Sequence, residues 1–154
     1  MDSIIQGIAI YALPVIFAIT LHEAAHGYAA KHFGDFTAHN EGRISLNPIR
    51  HIDPVGTILV PLSLFIISKI TMGAGFLFGW AKPVPVNFSN LRHPKRDMLW
   101  VAVAGPSANL LMAILWAIVI KLAIAVPESN LAKPAVLMGI AGIEINIILM
   151  VLNL

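Results

Sequence analysis

The chain has 154 residues, 58% hydrophobic and 12% charged, with a mean hydropathy of +0.82 and a formal net charge of +2. A soluble domain is nearer 45–50% apolar and about 25% charged, so the composition predicts an integral membrane protein. The small, dispersed charge excludes the basic block of a nucleic-acid binder, and the absence of cysteine excludes disulfides and thiolate metal ligands. Residues 4 to about 30 are expected to form the first membrane helix, long enough for a hydrocarbon core of about 30 Å, with Pro14 as a site for a kink. Met1-Asp2-Ser3 lacks the positive region of a secretory signal, so this first apolar segment is expected to stay in the mature protein.

Residues 31–54 are the most polar stretch, and within it Thr37 to Leu46 reads as a short strand or β-hairpin. Asp53-Pro54 signals a helix start, and residues 55–78 read as the second helix. The next block, Gly79-Trp80-Ala81-Lys82-Pro83-Val84-Pro85-Val86-Asn87, holds two prolines one residue apart, which forbid helix and favour an extended backbone. Leu91 to Asp97 reads as a basic connector. Residues 98–126 form the third expected helix, broken or bent near Gly105-Pro106, and residues 134–154 the fourth. The loop at 31–54 and the connector at 79–97 are both basic, so loop charge assigns no orientation if every helix spans. A re-entrant path for Gly79–Asn87 would resolve this, because irregular backbone at membrane depth is tolerated where it is buried in protein or lines a cavity. The expected fold is therefore all-α and multi-pass, one membrane-embedded core with about four transmembrane helices, a short extended or re-entrant segment and a small hairpin.

The most informative stretch is Leu21-His22-Glu23-Ala24-Ala25-His26-Gly27-Tyr28, which contains H-E-x-x-H near the end of the first apolar run. Residues four apart share a helix face, so His22 and His26 can present imidazoles to one point. Two neutral imidazoles suit zinc, and Glu23, about 100° round the helix from His22, is free to act as a base towards a metal-bound water. A solvated helix face could carry the same residues by chance. At membrane depth, however, ionisable groups are costly unless they pair, bind metal or line a wet cavity. The histidines 32, 39, 51 and 93 have no partner at helical ligand spacing and read as ordinary interface residues. Glu144 reads as a hydrogen-bonding group between helices or as a substitute ligand.

Five stretches together resemble the site-2 protease family of intramembrane zinc metalloproteases, in its compact prokaryotic branch. They are His22–Gly27, Gly42-Arg43-Ile44-Ser45-Leu46-Asn47-Pro48, His51-Ile52-Asp53-Pro54-Val55-Gly56-Thr57, the Gly79–Asn87 block, and Ala104-Gly105-Pro106-Ser107-Ala108-Asn109. The resemblance implies one zinc per chain on His22 and His26, with Glu23 as general base and acid. It implies that Lys82, Pro83, Val84, Pro85, Val86 and Asn87 lie near a transmembrane protein substrate, in a prokaryotic cell membrane. Asn153 is the candidate oxyanion donor and Asn109 a weaker one, and the alternative role of both is helix–helix hydrogen bonding. The third ligand is expected as an aspartate in an Asp-Gly motif beyond Leu154, since Asn153-Leu154 matches the start of the sequence that precedes it and none of Asp35, Asp53 and Asp97 has that context. Two rival readings remain: a catalytically incomplete membrane adaptor, and a metal transporter, which ordinarily shows repeated halves that this chain lacks.

Overall fold

A computed structural model describes residues 2–73 and 79–153. It is 76% helical and contains no strand among the described residues, and four of its helices are long and apolar enough to cross a membrane. Helix α1 spans Asp2–His32, α2 spans Val60–Met72 after a π-helical turn at Pro54–Leu59, α3 spans Pro94–Ile124 and α4 spans Ala132–Leu152. Residues 74–78, which the second helix is expected to include, lie outside the described residues, as does Leu154.

Helices α3 and α4 pack together most extensively, and both pack against α1. The α3–α4 contact depends on small residues. The Trp116 ring lies over Gly142, where a Cβ would come within 2.4 Å of it, and Ile120 fills the space beside Gly139. Such close backbone approach is how membrane helices associate when lipid removes the hydrophobic drive between them. Helix α2 packs against none of the other three among the described residues. It is tied to the rest through the π-helical turn that precedes it, where the Trp80 N–H donates to the Gly56 carbonyl (3.0 Å) and Thr57 Oγ1 to the Trp80 carbonyl (2.8 Å).

Three expectations are corrected. Thr37 to Leu46 is not a hairpin: Thr37–Asn40 is a single helical turn, and a tight turn at Glu41-Gly42 follows. The N–H groups of residues 40–43 bond to the carbonyls of residues 36–39 within the turn, and side chains hold its two ends. Asp35 Oδ1 takes the Thr37 N–H (3.0 Å) and hydroxyl (2.5 Å), and the His51 ring donates to the Ser45 carbonyl (2.8 Å). Helix α3 begins at Pro94, so half of the basic connector is its first turn. Proline suits the first helical position, and the Asp97 carboxylate reaches back to accept the His93 N–H at 2.8 Å. Finally, of the break or bend expected near Gly105-Pro106, the break is absent: α3 runs through it as one helix. Proline removes one helical hydrogen bond, a loss that membrane helices tolerate when neighbours surround it, and Pro106 is buried.

The segment at residues 79–87 has no helix and crosses beside α1 as a strap. Its far end turns on Asp35, a fully buried carboxylate that accepts the Asn87 N–H (2.7 Å) and the Asn90 amide (3.2 Å) as well as the Thr37 groups. Burial alone would raise the Asp35 carboxyl; the hydrogen bonds from Thr37, Asn87 and Asn90 outweigh it and hold its pKa below the ordinary aspartate value.

Candidate metal centre

His22 and His26 stand one turn apart on α1 and face α3. Their Nε2 atoms are 3.0 Å apart and their rings nearly perpendicular, at 81°. Each Nδ1 has its own partner on α3: His26 Nδ1 donates to the Val101 carbonyl at 2.7 Å, and His22 Nδ1 to Asn109 Oδ1 at 3.0 Å. A carbonyl only accepts, so the His26 proton sits on Nδ1 and its Nε2 carries a lone pair; the same holds for His22 against the amide oxygen. Two bare nitrogens that close repel unless a cation, a shared proton or a metal ion, lies between them. Two nitrogens on a tetrahedral zinc ion with bonds of about 2.0–2.1 Å stand about 3.3 Å apart, within a few tenths of the spacing here. The pair therefore fits two corners of a zinc site. No group of three or more His, Cys, Asp or Glu side chains that could hold a metal occurs among the described residues.

The residues of α3 that build this pair are spaced by four: Val101, Gly105 and Asn109 form one face. Gly105 is where the imidazoles come closest, and a Cβ there would lie 2.3 Å from His26 Nε2 and 2.7 Å from His22 Nε2. Asn109 is fully buried, and its Nδ2 has no partner among the described residues, so the amide is committed to the histidine. Its place is behind the ligand, fixing tautomer and ring orientation. The sequence reading weighed it as an oxyanion donor or a packing residue and did not find this role, nor the contact of Gly105. The available signal was the four-residue spacing of positions 101, 105 and 109. Asn109→Ala is expected to lower zinc affinity about 10- to 100-fold while the protein stays folded, as competition with a zinc chelator would measure.

Glu23 leaves the helix on the neighbouring side. Its Oε2 accepts the Val84 N–H at 2.7 Å, so the carboxylate meets the strap directly. Glu23 and His22 line a cavity of about 200 Å³ with Ile19, Gly79, Trp80, Ala81, Leu149 and Asn153. The structure thus brings Asn153, at the end of α4, to the cavity of the first histidine and the glutamate, with its own Nδ2 donating to the Leu149 carbonyl at 2.7 Å. Lys82 and Pro83 lie on the strap with both carbonyls taken by Arg43 Nη2, at 3.0 and 3.2 Å. Pro85 has no N–H, and the Asn87 N–H is held by Asp35. The Val86 N–H and the Val84 and Val86 carbonyls make no hydrogen bond among the described residues. Glu144 is exposed on α4 and does not line the cavity.

A helical membrane protein that pairs two imidazoles at their Nε2 atoms and sets one of them beside a carboxylate in a shared cavity has donors of the kind a metallohydrolase uses. The comparisons agree with that class. The chain is 44% identical over 101 residues, 66% of its length, to "Putative zinc metalloprotease YwhC" of Bacillus subtilis (strain 168). It is 26% identical over 100 residues, 65% of its length, to "Putative zinc metalloprotease Rip2" of Mycolicibacterium smegmatis. These matches cover 40% and 35% of the two relatives, so the chain spans about two fifths of the curated relatives it matches. No family model and no solved structure matches it. The chain is a homologue of bacterial proteins named as zinc metalloproteases, and the resemblance to the site-2 protease family stands.

Proposed function

We propose that the chain is the core of an intramembrane zinc metalloprotease that hydrolyses peptide bonds within or near the transmembrane segments of other membrane proteins in a prokaryotic cell membrane. The observation that supports this most is the shared cavity of His22 and Glu23, with the glutamate hydrogen-bonded to an extended strap. His22 and His26 would hold zinc through Nε2, and when bound the ion supplies Lewis acidity that polarises the scissile carbonyl. Glu23 takes the proton of the attacking water and returns it to the leaving amine. The Val84 N–H orients the carboxylate for that transfer. Asn153 Nδ2 exchanges its intrahelical bond to Leu149 for the developing oxyanion.

A substrate helix has its own backbone hydrogen bonds satisfied and must unwind before attack. The Val84 carbonyl and the Val86 N–H and carbonyl, which make no hydrogen bond among the described residues, offer the unwound segment an edge to pair with. Within residues 82–87 the pairing therefore centres on 84–86, because Arg43 and Asp35 occupy the backbone on either side. A second reading, a membrane adaptor that binds metal without catalysis, has in its favour the two-donor site among the described residues.

The test is cleavage of a fluorescently labelled transmembrane reporter by the full-length protein in proteoliposomes. Product is expected from the zinc-loaded protein and none after chelation, with activity restored by added zinc. Product that survives complete chelation overturns the proposal, and a zinc-loaded protein that never cleaves favours the adaptor.

A further inference from the structure

The strap carries a register constraint in its sequence. Pro83-Val84-Pro85 holds a single backbone N–H, that of Val84, and this donor meets Glu23 at 2.7 Å. An extended chain rises about 3.3 Å per residue, so a slip of one residue either way would set a proline nitrogen against the carboxylate. No neighbouring donor can substitute. Something must therefore hold the strap to within one residue.

Two charged side chains from the loop after α1 flank the critical position. Arg43 Nη2 donates to the carbonyls of Lys82 and Pro83, at 3.0 and 3.2 Å, just before Val84. Asp35 accepts the Asn87 N–H at 2.7 Å and the Asn90 amide at 3.2 Å, just after it. The guanidinium only donates and the carboxylate only accepts, so each reads one polarity of the backbone. Asp35 is itself immobilised: it is fully buried and bonded to both Thr37 groups, and Thr37 Oγ1 also accepts from the Asn90 amide at 3.3 Å. A further backbone bond, the Lys82 N–H to the His51 carbonyl at 2.9 Å, lies on the Arg43 side.

We propose that Asp35 and Arg43 are positioning residues that set the register of the strap so that Val84 presents its N–H to Glu23. The inference rests on the reading of Glu23 as the catalytic base. Neither side chain lines the cavity, and they act only through the backbone between them.

The experiment uses full-length protein in detergent and its Asp35→Asn, Arg43→Gln and Arg43→Lys variants. Asp35→Asn keeps size and burial but turns one acceptor oxygen into a donor, which opposes the N–H groups it meets. Three quantities are read: hydrogen exchange at the Val84 amide, bound zinc, and kcat and KM on the transmembrane reporter. In Asp35→Asn and Arg43→Gln, Val84 exchange is expected to rise about 10-fold and kcat to fall about 10-fold, with KM and zinc content close to the parent. Arg43→Lys keeps a donor and is expected to recover part of both losses. Unchanged Val84 exchange in both variants overturns the inference. So does a rise in KM with kcat intact, which would make the two residues part of substrate binding. If the parent cleaves nothing, the protease reading fails, and the exchange of Val84 still decides whether these residues hold the strap.

Discussion

Glu23→Gln is expected to abolish cleavage while leaving zinc bound and the protein folded. Glutamine matches glutamate in shape, and its Oε1 can still accept the Val84 N–H, so the strap contact at 2.7 Å has no steric reason to break. What is lost is the basic oxygen. General-base catalysis by a positioned carboxylate contributes about 10²- to 10⁴-fold, and loss of the return proton to the amine adds to that. Reporter turnover in proteoliposomes, together with bound metal and melting temperature, separates this from unfolding. A variant that retains parental turnover would remove Glu23 from the chemistry, and one that loses zinc would make the glutamate a ligand.

The second large effect is expected at a residue that carries no chemistry. Gly105→Ala adds one methyl group, and in an ordinary helix interior that exchange stabilises by about 1 kcal/mol. Here the new Cβ would lie 2.3 Å from His26 Nε2 and 2.6 Å from His22 Cε1, at the ends of the two rings that would face the metal. Nothing under about 3 Å survives, so the rings must turn away, and turning breaks the bonds from Nδ1 to Val101 and Asn109. Zinc affinity is expected to fall at least about 100-fold, beyond the loss of a single partner behind a ligand. The predicted signature is a protein that keeps its helical circular dichroism and loses metal. Full zinc occupancy in Gly105→Ala would mean that α1 and α3 do not approach as described.

Much of the arrangement is legible in the sequence because it is local. Apolar length gives the helices, the i, i+4 spacing of His22 and His26 gives a shared face, and two prolines at 83 and 85 give an extended strap. What escapes is set by contacts between distant segments. Asn109 lies 87 residues from His22, and nothing near it in the chain says that its amide faces an imidazole. Asp35 looks like one more polar residue in a loop until Asn87, 52 residues on, is seen to donate to it. The same carboxylate starts the turn that replaces the expected hairpin at 37–46: it takes the Thr37 N–H, and the N–H groups of residues 40–43 then bond to the carbonyls of residues 36–39. Pro106 misleads in the opposite direction, since a proline that ends a helix in water is accommodated inside a packed membrane bundle.

The measurement that meets the central claim most directly is zinc per chain in full-length protein purified in detergent, beside a His26→Ala variant. The two Nε2 atoms 3.0 Å apart, each with its proton fixed on Nδ1 by α3, predict close to one zinc per chain in the parent and almost none in the variant. Equal zinc in both would contradict the account, because the metal would then be held somewhere other than between these two histidines.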